Sequence, residues 1–404
     1  MTASFLSFRP FRHVAALLGA AVLAVAFVAP AQGDRAKTPV FGPAIDWSVL
    51  ARLTETFEVD SNRQLDGVND GIEARGIIGL GVTVSGRGKR SRFSVATGFN
   101  AGRSTDNDVS NLNRLDPNID ATAAFLGKGF TINASLAAQT RATSVSEQED
   151  TGITDQNATR FDASASIGVS WQATKRDNIT ITASTQIVDF SRSIDTLTPS
   201  QTFGLSGGWS RRVTETTSYS FSTSFRHFEA DGDDGLISRT ASAQFGVQHQ
   251  RTSRHSLGAT AGLSFVSTDL TNGSTLNRIG FVGGGTFGYT IDEFNASLNL
   301  NQSIQPSSEG ELRAFTSLGG SLGYRINQLE RLSFGVRYTR RSDVSGGGDV
   351  LQFLSLGPTY SYSLSERTAL SLSYQFRIRD DETTDFETGH QLLLSLSHSL
   401  TLLQ

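Results

Sequence analysis

The fold is decided by the last sixteen residues, Gly389-His390-Gln391-Leu392-Leu393-Leu394-Ser395-Leu396-Ser397-His398-Ser399-Leu400-Thr401-Leu402-Leu403-Gln404. From position 392 to position 402 every even-numbered residue is leucine except His398, and most odd-numbered residues between them are serine or threonine. A period of two is typical of a β-strand with one apolar and one polar face. The pattern fits the end of a soluble sandwich, and it equally fits the closing strand of a barrel, which pairs with the first strand.

The same alternation recurs along the chain in segments of about twelve to sixteen residues, separated by turn-rich gaps. The clearest case is residues 161–172, where the odd positions are apolar and the even positions are Asp, Ser, Ser, Gly, Ser and Gln. Breaks in the alternation near Val188 and around Phe315 are interpreted as β-bulges. The repeated period of two predicts an all-β protein.

The gaps between these segments fall into two alternating kinds. Eight are short and often basic, such as residues 86–89, and nine are mostly longer and more acidic, such as residues 105–118 and 380–388. This order predicts that residues 48–404 form a transmembrane antiparallel up-and-down β-barrel of about eighteen strands, with both ends on the short-turn side. A soluble sandwich has no reason to sort its loops by length in this way.

Aromatic residues cluster at the ends of the apolar faces. Near the short turns lie Phe93, Phe130, Trp171, Trp209, Tyr219, Tyr289, Phe294, Tyr324, Phe334 and Tyr362. Near the longer loops lie Phe57, Phe99, Phe190, Phe225, Tyr338, Tyr374 and Phe376. Two such belts are typical of a barrel whose ends meet lipid headgroups, although aromatic residues also favour strands in general.

Residues 1–31 have the layout of a secretory signal peptide. Arg9 and Arg12 precede an apolar run from position 14 to position 28, and small residues stand at positions 29 and 31. The run is shorter than the ~20 residues that a membrane-spanning helix needs. We therefore predict cleavage after Ala31, a short periplasmic segment over residues 32–47, and a location in the outer membrane of a Gram-negative cell.

Composition and motifs give no indication of an enzyme, and none is predicted. The sequence contains no cysteine, and its net charge of -4 gives no support to nucleic-acid binding. Residues 283–288 match G-x-G-x-x-G but lie inside an alternating strand, so no cofactor is expected. Acidic clusters such as residues 106–108 and 231–234 lack the spacing of a calcium loop, so no metal is expected. The histidines are scattered, without a Ser–acid arrangement around them.

Arginine is the charged residue that dominates the polar faces of the predicted strands. The candidate pore-lining residues are Arg52, Arg75, Arg141, Arg212, Arg226, Arg337, Arg341, Arg377 and Arg379. Few acidic residues share those faces, and the last four arginines lie near the loop side on two strands. A ring of arginine around a pore selects anions. The alternative is that these side chains pair with acidic loops folded into the lumen, or with lipopolysaccharide phosphates.

The first predicted strand carries a family resemblance. Residues 53–62, Leu-Thr-Glu-Thr-Phe-Glu-Val-Asp-Ser-Asn, run from a strand into Asp-Ser-Asn. This stretch resembles the start of a beta-barrel porin family of Gram-negative outer-membrane proteins, a poorly characterised family with some members linked to exopolysaccharide export. The resemblance implies an outer-membrane barrel and no catalytic residues. Many such barrels end in an aromatic residue, whereas this chain ends Leu402-Leu403-Gln404.

The sequence therefore predicts a porin-like channel for small hydrophilic solutes with a leaning towards anions, because barrels of 16–18 strands typically leave an aqueous channel. The alternative is a structural or secretion-associated barrel that works with polysaccharide export components and has no open pore. The expected partners are outer-membrane lipid and lipopolysaccharide, the outer-membrane assembly machinery and the solute. The sequence indicates neither the solute nor the oligomeric state.

Overall fold

The structure, a computed structural model, describes most of the chain from the predicted first strand onwards. The described residues are 45–63, 65, 72–105, 114–146, 158–191, 197–231, 236–252, 254–269, 274–307, 312–344, 350–381 and 384–403. The predicted leader and most of the predicted periplasmic segment lie outside these residues. The first strand begins at Asp46, two residues before the predicted start of the barrel at Ser48.

Eighteen antiparallel strands form one closed sheet, which confirms the predicted fold class. The strands are β1 Asp46–Asp60, β2 Glu73–Arg87, β3 Ser91–Ser104, β4 Arg114–Leu126, β5 Phe130–Ala142, β6 Thr159–Gln172, β7 Asp177–Phe190, β8 Ser200–Arg212, β9 Thr217–Ala230, β10 Leu236–Thr252, β11 His255–Asp269, β12 Thr275–Ile291, β13 Phe294–Pro306, β14 Leu312–Arg325, β15 Glu330–Asp343, β16 Leu351–Ser363, β17 Thr368–Asp381 and β18 Thr384–Leu403. One short helix, α1 (Thr143–Ser146), follows β5. No helix in the described part of the chain is long and apolar enough to cross a membrane.

The barrel closes between its two terminal strands. β1 pairs with β2 on one edge and with β18 on the other, from Val49↔Leu403 to Asp60↔Gln391. Every other strand pairs with its neighbours in sequence, so no sheet edge runs the full length of the barrel. The predicted pairing of the last segment beside residues 49–57 is confirmed.

The predicted sorting of the gaps is also confirmed, with one exception. Eight gaps of two to four residues join the strands on one side, and nine gaps lie on the other side. The exception is the predicted loop over residues 380–388, which is wrong because β17 ends at Asp381 and β18 begins at Thr384. Arg377 and Arg379 of β17 pair with Gly389 and Glu387, so a polar, loop-like sequence continues the ladder.

The two faces of the sheet differ as the alternation predicts. Leu392 and Leu394 of β18 are exposed on the outward face, whereas Ser395 faces the lumen and shares a 2.8 Å hydrogen bond with Thr56. Similar hydroxyl pairs cross other strands, such as Ser135–Ser166 and Ser224–Ser242. Some outward positions are polar, such as Glu55, which stands between Ile78 and Leu396, and His398, which stands beside Leu53.

The two predicted bulges are wrong. β6 and β7 pair continuously past Val188, and β14 keeps its register with both neighbours past Phe315. Val188 and Phe190 share a face with the lumenal residues Asp162 and Arg160, so Phe190 does not belong to an outward belt. The breaks in alternation arise because apolar residues on the lumen face are buried near the loop side, where the local environment is no longer water.

Candidate functional site

A space on the lumen side, which we call the main cavity, has a volume of about 820 Å³. It lies against the polar faces of β5 to β13, and hydroxyl and amide side chains from many strands line it, for example Ser164, Thr202, Ser242 and Gln244. Lining residues of one strand lie two positions apart, and those of neighbouring strands lie side by side, so the period of two in the sequence produces a continuous polar wall in the barrel. Such a lining can hydrate and hydrogen-bond a small polar solute.

The charged residues that line the main cavity are all arginines. They are Arg141, Arg160, Arg226 and Arg341, and no aspartate or glutamate lines the cavity among the described residues. Asp162 stands beside this lining and pairs with Arg141 at 3.3 Å and with Arg160 at 2.9 Å. The guanidinium of Arg341 lies 4.9 Å from the centre of the Phe315 ring.

Arg226 differs from Arg141 and Arg160, which pair with Asp162, because its partner is neutral. Its Nη1 atom donates a 3.1 Å hydrogen bond to the backbone oxygen of Ile304, and no carboxylate among the described residues pairs with it. The bond crosses from β9 to β13, which are four strands apart in the wall. The main cavity therefore contains a cation whose charge is not balanced locally.

A second group of charges lies where the barrel closes, and we call it the seam cluster. It consists of Glu58, Asp60, Arg63, Glu73, Arg75, Arg377 and Arg379, all on the lumen side of β1, β2 and β17 or in the first loop. Asp60 is 0% exposed, and the other members are buried or nearly so. In contrast to the main cavity, this group combines both signs of charge.

The seam cluster holds the first loop against the wall. Arg63 donates to Glu58 and to Glu73, each at 2.7 Å. Arg377 pairs with Asp60 and also donates to the backbone oxygen of residue 62 at 3.0 Å. Burial lowers the pKa of Arg63, but the carboxylates of Glu58 and Glu73 outweigh this effect and hold its pKa above the ordinary value. The side chain of Arg63 is therefore ionised at neutral pH.

Leu65 completes this contact between loop and wall. Its backbone oxygen accepts a 3.0 Å hydrogen bond from Arg379, and its backbone nitrogen donates to the Asn62 side chain at 2.9 Å. The Leu65 side chain is fully buried, and its φ of 52° lies in the left-handed region. A non-glycine residue keeps that conformation only where the surrounding contacts impose it.

All nine arginines that the sequence selected occupy the lumen-facing parity of their strands, but they do not form one site. Three of them, Arg141, Arg226 and Arg341, line the main cavity. Arg75, Arg377 and Arg379 belong to the seam cluster. Arg212 lies with Lys175 and Arg176 in a smaller space of about 520 Å³ at the short-turn end, and the remaining two are Arg52 and Arg337.

The predicted basic ladder on β15 and β17 is interrupted. β16 lies between these strands, and Ser355 separates Arg337 from Arg377 at the same level. Phe353 of β16 is likewise buried on the lumen face beside Arg379. The arginines of β17 donate to the first loop, which is the alternative that the sequence left open for them.

Two functional arginines escaped the sequence analysis. Arg160 lies at the second position of β6, one residue before the start of the alternating segment 161–172. Its parity with Asp162 is a signal that could have found it. Arg63 lies in a loop, where no periodicity exists, so no sequence signal marks it.

Two further sequence patterns bear on cofactor and metal binding. The glycine-rich residues 283–288 lie within β12, as predicted. No group of side chains suited to a metal ion occurs among the described residues. The acidic cluster at residues 106–108 lies outside them, and of residues 231–234 only Asp231 is described.

Similarity to solved structures is confined to the fold. OccAB4 of Acinetobacter baumannii matches with a TM-score of 0.51 at 10% sequence identity, over 88% of this chain and 98% of that chain. OpdK of Pseudomonas aeruginosa, an outer membrane protein solved with vanillate, matches with a TM-score of 0.50 at 12% identity, over 88% and 99% of the two chains. No protein-family model and no curated protein matches this chain, so the resemblance to a beta-barrel porin family stays a prediction.

Proposed function

We propose that this protein is a porin-like channel of the Gram-negative outer membrane that passes small hydrophilic solutes and prefers anions. The observation that carries the proposal is the main cavity, which is lined by hydroxyl, amide and arginine side chains and by no carboxylate among the described residues. A cationic lining raises the local concentration of anions and lowers that of cations. The unbalanced charge of Arg226 supports this preference most directly.

The outward face supports the membrane location. Leucine, isoleucine and phenylalanine side chains are exposed around the barrel, and exposing so much apolar surface to water is unfavourable. Each strand of the closed barrel pairs with a neighbour on both sides, which suits a structure surrounded by hydrocarbon. OpdK, which has the same fold, is an outer membrane protein. The proposal includes secretion directed by the predicted signal peptide over residues 1–31 and insertion by the outer-membrane assembly machinery.

Conductance measured in planar lipid bilayers tests the proposal. The refolded protein is expected to give salt-dependent channels whose reversal potential in a salt gradient has the sign of an anion-selective pore. Arg226→Gln should move the reversal potential towards cation selectivity, because it removes the charge without a local counter-charge. Arg52→Gln, on the lumen face near the short turns, is the matched control for loss of one lumenal arginine. A well-folded barrel without conductance refutes the proposal.

A second candidate function follows from the first loop. Its described residues 62, 63 and 65 are tied to the lumen side of the wall by Arg63, Arg377 and Arg379. A loop anchored inside the barrel favours a structural or secretion-associated role without an open pore, with polysaccharide export components as partners. This role predicts a folded barrel that conducts only after the first loop is released, for example in the double variant Arg377→Gln/Arg379→Gln.

A further inference from the structure

The wall of the barrel is split on the loop side between β12 and β13. β12 pairs with β11 as far as Asp269↔Thr275, and β13 pairs with β14 as far as Pro306↔Leu312. Pairing between β12 and β13 stops earlier, at Gly283↔Gln302. Residues 275–282 of β12 and residues 303–306 of β13 extend beyond this point without pairing with each other, and we call the gap between them the fork.

The fork is unlike the other place where a ladder ends early. Pairing between β4 and β5 stops at Asn118↔Gln139, next to Pro117, which has no backbone donor to continue it. Neither side of the fork contains a proline at the point of separation. The split between β12 and β13 therefore has a different cause.

Three consecutive glycines mark the base of the fork. A Cβ atom at Gly283 would lie 2.5 Å from the backbone oxygen of Thr260, and one at Gly284 would collide with the backbone oxygen of Leu300. Glycine is the residue that permits such close approach of neighbouring strands. Neighbouring strands therefore approach each other closely at residues 283–284, and β12 and β13 separate immediately beyond them.

The side chain of Ile304 fills the space that backbone pairing leaves vacant. Alternation with Leu298 and Leu300 places Ile304 on the outward face, yet it is only 6% exposed and packs against Val266, which faces the lumen. A Cβ atom at Gly280 would lie 2.8 Å from its Cδ1 atom. The end of the β13–β14 hairpin is therefore bent inward over the main cavity, and Arg226 holds it there through the oxygen of Ile304.

The two sides of the fork have complementary chemistry. On the inside, Val282, Ser303 and Ile304 are part of the lining of the main cavity, as is Arg226. On the outside, Ile279 is 73% exposed and Phe281 is 52% exposed. The fork thus has the cation Arg226 on its inner side and apolar side chains on its outer side, at the level of the barrel nearer the longer loops.

We propose that the fork is a lateral binding site for a single-chain anionic amphiphile of the fatty-acid class. The carboxylate lies at Arg226 in the main cavity, and the hydrocarbon chain passes between β12 and β13 towards the membrane after displacing the Ile304 side chain. Charge-assisted hydrogen bonds recognise the head group, and burial of the chain against the lips removes it from water. The inference rests on the membrane location in the proposed function and not on an open pore.

Photo-crosslinking of the full-length protein in lipid nanodiscs tests this site. The probe is a twelve-carbon fatty acid with a diazirine at the chain end. Saturable labelling is expected on residues 275–282 and 303–306, and Arg226→Gln should weaken binding about tenfold or more, because a hydrogen bond to a charged group is lost. Arg212→Gln, also on the lumen face but at the short-turn end, is the control and should bind as the unchanged protein does.

Two variants change the passage without removing the cation. Gly280→Leu places a side chain where Ile304 already lies and should reduce labelling, whereas Ile304→Ala removes the obstruction and should increase it. Retained mobility of the folded band on unheated gels shows that each variant is assembled. Labelling spread evenly over the outward face, or unchanged by Arg226→Gln, overturns the proposal.

A second probe distinguishes whether the hydrocarbon chain in the fork belongs to a free fatty acid or to a membrane phospholipid. A phospholipid with the same diazirine in one acyl chain should label the fork only weakly. Strong phospholipid labelling that fatty acid fails to displace assigns the fork to membrane lipid and overturns the fatty-acid assignment. Conductance of the same preparation is read separately, so a barrel that labels at the fork without conducting refutes only the proposed channel.

Discussion

The seam cluster and the main cavity place the same residue type, lumenal arginine, in opposite settings. At the seam, Arg63 and Arg377 are buried and paired with carboxylates. In the main cavity, Arg226 has a backbone oxygen as its partner. A charge that is paired and buried contributes little to the field that a solute meets, whereas an unbalanced charge in a lined cavity dominates it. The parity of an arginine on a strand therefore says where it points and not what it does.

The location of the seam cluster has a structural rationale. β1 and β17–β18 come from opposite ends of the chain, and Asp60 and Arg377 are 317 residues apart. Buried ion pairs are weak sources of net stability, and the best-attested use of buried polar groups is to specify register. The pairing of Asp60 with Arg377 fixes the loop-side end of the ladder that closes the barrel.

The largest expected effect is loss of barrel assembly when the closing strand at the seam is removed. A chain that lacks residues 392–404 should fail to assemble, because β18 supplies the pairing surface of both β1 and β17. Assembly is measured as the heat-dependent shift of the folded band on a gel. Removal of Gln404 alone is the control and should leave that shift intact. Normal assembly of the truncated chain contradicts the closed barrel.

Within the seam, breaking one pair should be costly. Arg377→Met leaves the carboxylate of Asp60 fully buried without its cation, and we expect a loss of about 3–5 kcal/mol in the free energy of unfolding. Urea unfolding in lipid vesicles measures the change. Arg52→Met should cost less than about 1 kcal/mol because that side chain is exposed. Equal losses for the two variants contradict the distinction between paired and unpaired arginines.

Ion selectivity separates the two regions by function. Sequence alone predicts that neutralising Arg337, Arg377 and Arg379 shifts selectivity towards cations. The contacts of Arg377 alter this expectation: Arg377→Gln should change the reversal potential less than Arg226→Gln, because the carboxylate of Asp60 already balances the charge of Arg377, whereas Arg226 contacts a neutral backbone oxygen. Bilayer recordings in a salt gradient supply the comparison. A larger shift from the seam variant reverses the assignment of the main cavity as the selective region.

The smallest effect is expected from the hydroxyl wall. Ser224→Ala removes one hydrogen bond to Ser242 in the main cavity, and the remaining hydroxyl is exposed to water. We expect a change of less than about 1 kcal/mol in the free energy of unfolding and no shift in reversal potential. A loss comparable to that of Arg377→Met indicates that the hydroxyl wall is as tightly organised as the seam.

Sequence reasoning succeeded where the signal is local. Leu392, Leu394 and Ser395 reveal their faces by alternation, and the short turns mark one end of the barrel. It failed at Val188 and Phe315, because the rule that apolar residues face outward holds only where the lumen face meets water. It also missed Arg63, which lies in a loop without any period, and Arg160, at the edge of a segment.

By itself the sequence determined a count of about eighteen strands, their antiparallel direction and the face on which the nine selected arginines stand. These features depend on the alternation of side chains along one strand, which is a property of the local chain. Only the tertiary structure decided that Asp60 meets Arg377, that Arg226 reaches Ile304 and that β12 separates from β13. These contacts depend on closing the sheet and bending a hairpin over the lumen. Both bring together residues that the alternation along a single strand does not relate.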